Sequence, residues 1–109
     1  MKYVLLYDKK DYQSIGNTLG LAATISKGVF ETEEEAVEAL KEDVTKFVVD
    51  YLELDEEEIA QYSKDGKVDI EKLLEDSEFD YDYSYKCVSL EDNQMSNNWR
   101  GFYWKVISI

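Results

Sequence analysis

From Thr32 to Tyr51 the apolar residues recur every three or four positions. Ala36, Val37, Leu40, Val44, Phe47, Val48 and Tyr51 fall on one stripe, while Glu34, Glu38, Lys41, Glu42 and Asp43 lie elsewhere. The stretch TEEE at Thr32–Glu35 is a capping box: the Thr32 hydroxyl can accept from the Glu35 backbone N–H while the Glu35 carboxylate reaches back. The pattern predicts a helix of about five turns packed on a sheet. Asp55 with Glu58 repeats the box, and Leu54 with Ile59 has the spacing of a hydrophobic staple. Asp69 can cap IEKLLED, with Val68 and Leu73 again at staple spacing. Residues 55–63 and 70–76 therefore read as two small acidic helices joined by a turn at Asp65-Gly66. Each buries little and depends on tertiary contacts.

The flanking segments change period. Tyr3 to Tyr7 is apolar at every position, which suits a central strand covered on both sides. Lys9 to Gly20, with three polar turn formers at Gly16, Asn17 and Gly20, reads as a loop. Leu21 to Phe30 reads as a second strand in a hairpin with the first, although GLAATIS also suits a short helix. A third strand runs from near Tyr81 to Leu90. It places Tyr81, Tyr83, Tyr85 and Cys87 on one face and Asp82, Ser84 and Lys86 on the other, as an edge strand with a dry and a wet side requires. The polar run EDNQMSNN reads as a hairpin loop into the last strand, WRGFYWKVISI. That strand puts Phe102, Trp104 and Val106 on one face and Trp99, Tyr103, Ile107 and Ile109 on the other, so both faces should be covered. The order predicts a single α+β domain over residues 1–109: a small antiparallel or mixed sheet of three to four strands, one long helix and two short acidic helices.

Composition narrows the class. A chain of 109 residues buries roughly two-thirds of its unfolded surface on folding, enough for one core without staples. The apolar run before Asp8 is too short for a signal peptide or a bilayer span, so no membrane association and a cytoplasmic location are expected. The single cysteine, Cys87, has no internal disulfide partner and reads as a small buried hydrophobe in a tyrosine-rich strand rather than a redox centre.

Charge changes the picture most, because the net −13 is unevenly distributed. Residues 1–52 hold ten acids and six lysines, residues 53–82 hold thirteen acids and three lysines, and residues 83–109 hold two acids and three bases, giving −4, −10 and +1. Crowding of this kind costs stability through repulsion that salt screens beyond about 8–10 Å. An acidic run is most often a solvated face. Here the acids exceed what capping and strand alternation require, and a basic partner would offset the repulsion. The residues placed in such a contact are Glu56, Glu57, Asp76, Glu78, Asp80 and Asp82. In a strand, Asp80 and Asp82 project to the same side, about 6.8 Å apart.

Other chemistry is restricted. With no histidine, Ser-His-Asp, HExxH and zinc-finger patterns cannot form, and Cys87 has no imidazole to activate it. GNTLG lacks the Lys-Ser/Thr of a phosphate-binding loop. Asp80, Asp82, Ser84 and Glu91 match positions one, three, five and twelve of a calcium loop, but Tyr85 occupies the sixth, where the sharp turn needs glycine. No metal, cofactor or catalytic group is therefore expected. An aromatic strand can stack bases, yet a single arginine among this many acids argues against direct nucleic-acid binding.

In size, acidity, lack of histidine and α+β layout the chain resembles the small proteins with which phages and mobile elements block host defence, anti-CRISPR proteins among them. The resemblance is one of character over the whole chain, without a shared motif. It implies stoichiometric, non-enzymatic inhibition of a basic nucleic-acid-binding protein, a nuclease or CRISPR effector, by a surface that mimics nucleic acid. The competing expectation is a structural or housekeeping interaction module that assembles, as a homodimer, through an aromatic sheet face.

Overall fold

The computed structural model describes residues 2–13, 23–77, 79–95 and 98–109. Strands β1 (Tyr3–Gln13) and β2 (Ala23–Phe30) lead into helix α1 (Glu33–Leu52). Helix α2 (Glu56–Gln61), the short strands β3 (Ser63–Lys64) and β4 (Lys67–Val68), and helix α3 (Ile70–Asp76) follow, and β5 (Asp80–Ser84), β6 (Cys87–Met95) and β7 (Asn98–Ser108) complete the chain. The main sheet has the order β2-β1-β7-β6-β5, and every neighbouring pair is antiparallel. The α+β class with one long and two short helices is as the sequence predicts. The sheet holds five strands, not three or four, and β3–β4 form a separate hairpin.

Capping sets the helix starts. Thr32 Oγ1 accepts from the Glu35 N–H at 3.2 Å, and its own hydroxyl donates to Glu35 Oε1 at 3.0 Å. At α2 both halves of the box form, with Asp55 Oδ1 accepting from the Glu58 N–H and Glu58 Oε1 from the Asp55 N–H. Asp69 accepts from the Lys72 N–H. The stripe of α1 packs as its spacing predicts: Ala36, Val37, Leu40, Val44 and Val48 are buried against Leu5, Val88, Leu90, Phe102, Trp104 and Val106 of the sheet. From α3, Ile70, Leu73 and Leu74 join the same core. Phe47 is the aromatic hub, its ring 4.5 Å from Phe102 and 5.2 Å from Trp104, centroid to centroid.

One α1 residue off the stripe has an interior task. Trp104 is 1% exposed, and its indole N–H donates to Asp43 Oδ2 at 2.8 Å. Lys27 reaches the same carboxylate at 3.9 Å and lies 5.2 Å above the Tyr7 ring centroid. Lys27 gets there because β2 carries one extra residue where β1 passes from Leu5 to Leu6: Leu5 pairs with Gly28 and Leu6 with Ser26, leaving Lys27 as a bulge.

Several strand boundaries depart from the sequence reading. The first strand does not stop before Lys9 but continues to Gln13, because its partner β7 runs alongside it to Asn98. The rest of the expected loop, residues 14–20, lies outside the described residues. Residues 23–30 form the expected second strand rather than a helix. The supposed third strand is two strands reversing at Tyr85-Lys86, with Ser84 paired to Cys87. Tyr81 and Tyr83 consequently face the helices, whereas Cys87 lies across from Lys105 on the opposite face, away from those tyrosines, and is exposed rather than buried as expected. Glu91 to Met95 extend β6 instead of forming a loop. The turn between the two short helices is a hairpin in its own right: Asp65 (φ 54°) and Gly66 (φ 80°) both adopt positive φ, as a two-residue reversal needs.

The helices cover one sheet face only. On the other, β1 contributes Val4, Leu6 and Asp8, which align with Ile107, Lys105 and Tyr103 of β7. No described helix covers that face, yet Val4 is buried and Leu6, Asp8, Tyr103 and Ile107 are half-buried there. Tyr103 folds along its own strand over Gly101, where an added Cβ would come within 2.7 Å of its ring. This face carries Asp8, Ser89, Asp82, Glu91, Asp80 and Lys105 around it, so polar groups surround the tyrosine. Phe102, Trp104, Tyr3, Tyr7, Phe30 and Tyr83 all pack toward the helices.

Candidate functional site

The acidic segment 53–82 spans α2, the hairpin, α3 and β5. Glu78 lies outside the described residues. The other twelve of its thirteen carboxylates are all exposed. Among the described residues the ion pairs involve Glu31, Glu33, Glu38 and Asp43, all outside this segment. Three segment acids have structural tasks at helix starts, namely Asp55, Glu58 and Asp69, and Asp76 accepts a hydrogen bond from the Tyr62 hydroxyl at 3.0 Å. The carboxylates of Glu53, Glu56, Glu57, Asp65, Glu71, Glu75, Asp80 and Asp82 have neither an ion pair nor a hydrogen bond.

The sequence-derived contact residues divide between two surfaces. Glu56 and Glu57 occupy the first turn of α2, where their charge favours the helix N-terminus, and Asp76 ends α3 bonded to Tyr62. These belong to the helix layer. Asp80 and Asp82 alternate with the inward Tyr81 and Tyr83, so they point to the open face, where Asp80 opposes Glu91 and Asp82 opposes Ser89. Asp80 and Glu91 are thus cross-strand neighbours in a hairpin, not ends of a twelve-residue calcium loop. The structure brings Asp80 and Asp82 together and leaves Glu56 and Glu57 on a separate element.

Two acids outside the sequence-derived contact set complete the picture at β5. Glu71 and Glu75 are four apart on α3 and so share one helix face. Both their charges act on Tyr81, whose hydroxyl is raised above the ordinary tyrosine value by burial first and then by Glu75 and Glu71. Glu71, Tyr81, Asp82 and Tyr83 line a cleft of about 340 Å³ along the strand edge. The i, i+4 spacing inside IEKLLED was the available signal. That α3 lies beside the edge strand was not legible without the topology.

A larger groove of about 730 Å³ lies between the outer stripe of α1 (Glu38, Lys41, Glu42) and the hairpin and start of α3 (Lys67, Asp69, Glu71), with Tyr83 in its wall. Its charges are mixed and partly neutralised, since Glu38 meets Lys41 at 3.6 Å and Lys67 at 4.0 Å. Burial raises the Tyr83 hydroxyl, with Lys41 opposing and Glu71, Glu38 and Asp69 adding to the rise. No helix among the described residues is long and apolar enough to cross a membrane.

No protein-family model, curated protein or solved structure matches the chain.

Proposed function

We propose that this protein is a non-enzymatic acidic inhibitor that works in the cytoplasm by occupying the basic groove of a nucleic-acid-handling protein, a nuclease or CRISPR effector. One observation supports the reading above others: the twelve described acids of residues 53–82 are exposed and take no part in an ion pair, whereas Glu31, Glu33, Glu38 and Asp43, outside the segment, each meet a lysine. Unpaired carboxylates at this density repel one another, and a cationic surface relieves that repulsion on docking. Duplex DNA carries one charge per roughly 1.7 Å of axis, so a groove lined to hold it attracts such a surface. The same charge disfavours direct nucleic-acid binding, and the gathering of aromatic rings on the helix-covered face gives no support to assembly through an aromatic sheet surface.

The test is titration against a panel of purified basic nucleases and CRISPR effectors while ionic strength is raised. Binding that weakens steeply with salt and blocks nucleic-acid entry is the expected result. Affinity indifferent to salt, or absence of binding across the panel, would remove the reading.

A further inference from the structure

The free edge of the main sheet at β5 is built to accept one kind of strand. In the β6–β7 ladder the Val106 N–H bonds the Lys86 carbonyl at 2.9 Å, which makes Val88 and Leu90 the residues that bond toward β7 and turns Cys87, Ser89 and Glu91 toward β5. Their partners Ser84, Asp82 and Asp80 therefore use their backbone groups inward. Tyr81 and Tyr83 are left to aim N–H and C=O outward, and no described strand pairs with them. Both faces of this edge are mainly acidic, with Lys41 of α1 a cation that also acts on Tyr83 from the helix side. Asp80 and Asp82 flank it on the open side, Glu71 and Glu75 on the helix side, and the cleft lined by Glu71, Tyr81, Asp82 and Tyr83 runs along it.

Resting on the reading of the protein as a binder of basic partners, we infer that β5 is a docking edge for an extended, arginine- or lysine-rich segment, which adds as a sixth strand through the backbone groups of Tyr81 and Tyr83. Strand addition supplies backbone hydrogen bonds, and the side chains of the incoming strand alternate between the two faces. Basic residues on one face meet Asp80 and Asp82, and those on the other reach Glu71 and Glu75. Charge selects the occupant. A second copy of β5 would set Asp80 and Asp82 against their own kind, which disfavours self-pairing.

The probe is a short, end-blocked peptide of arginine and threonine with arginine on both strand faces, titrated into the full chain at low ionic strength. Amide exchange should slow at Tyr81 and Tyr83. Replacing alternate peptide amides by N-methyl amides blocks the same hydrogen bonds with the protein unaltered, and should weaken binding by about tenfold or more. Tyr81→Pro removes one outward N–H from a residue whose side chain is exposed, without removing a β5–β6 hydrogen bond, and should give a similar loss. Binding that N-methylation leaves intact would mean the segment is held by charge alone, which overturns the strand-addition inference while the acidic-inhibitor reading stands. No peptide binding, or a dimer that Tyr81→Pro abolishes, overturns the inference too. Failure of the wider reading is seen separately, as absent or salt-indifferent binding to the basic nucleases.

Discussion

Asp43 looks like a solvent-facing helix residue in the sequence and acts as an internal acceptor in the structure, so Asp43→Ala separates the two readings. The buried Trp104 N–H would lose its partner at 2.8 Å, the acceptor it reaches among the described residues. Stranding a buried donor costs about 1–3 kcal/mol. The Asp43 side chain keeps 29% exposure, so water can partly replace it, and the lower half of that range, about 1–2 kcal/mol, is the better figure. The Lys27 contact at 3.9 Å is half open to solvent and adds at most a few tenths, roughly. Urea melts read the loss directly, and the melting temperature should fall by roughly 5–15 °C. Asp43→Asn keeps an acceptor oxygen and should recover most of the stability.

A double-mutant cycle with Trp104→Phe tests the cause. Phenylalanine fills most of the site without an N–H, so Asp43→Ala should cost about 1 kcal/mol less in that background. The reasoning is refuted if Asp43→Ala melts within about 0.5 kcal/mol of the parent, the usual margin for a surface substitution. It is also refuted if the two substitutions prove additive. Either result would mean the indole N–H is satisfied by water.

Three further outcomes are expected. Asp55→Ala deletes the side-chain half of the α2 capping box, leaving the residue-55 N–H free to donate to Glu58, and should cost about 1 kcal/mol in urea melts, with little change in slope. Gly66→Ala forces a side chain into a φ of 80° and should cost about 1 kcal/mol, whereas Lys64→Ala on the same hairpin should be nearly silent in the same melts. The hydroxyls of Tyr51 and Tyr62 are both raised above 10.0, Tyr51 by burial and then by its bond to Asp92, Tyr62 by its bond to Asp76 and then by burial. A raised folded value means the native state holds its proton longer, so this stabilisation is intact below 10.0 and is lost as pH climbs from there through the folded values. Urea melts across that window should show falling stability, less steeply in Tyr51→Phe with Tyr62→Phe; a slope unchanged by the pair would refute the assignment.

Legibility in the sequence followed the range of the forces involved. The capping at Asp55 and Asp69 and the α1 stripe are set within a few residues and stand as read, while at Thr32 the N–H half of the box forms and the Glu35 carboxylate takes the Thr32 hydroxyl in place of its backbone N–H. The reversal at Tyr85-Lys86 was hidden because neither residue is a turn former and the tyrosine alternation runs unbroken into it. Asp65-Gly66 did carry a hairpin signal, but flanking strands of two residues each are too short to show a period. The charge imbalance was fully readable, yet its division between α2 and the two faces of β5 depended on long-range pairing. Glu71 and Glu75 matter only because α3 lies beside an edge strand, and nothing local to IEKLLED says so.

The two edges of the sheet are protected by different means, and the difference bears on function. On β2 the bulge at Lys27 breaks the regular spacing of backbone groups, and Lys27 itself turns inward to Asp43. A distorted edge refuses any incoming strand whatever its side chains. On β5 the pairing with β6 is regular from Asp80 to Ser84, so the outward groups of Tyr81 and Tyr83 keep the spacing a new strand needs. Only charge guards them. Charge discriminates where distortion does not: it raises the barrier to another acidic strand and lowers it for a basic one. Asp80→Lys with Asp82→Lys should therefore invert the preference, so that the arginine peptide no longer binds and an acidic strand-forming peptide is repelled less than by the parent. Retained arginine-peptide binding in that variant would show that β5 is not where the positive segment lies.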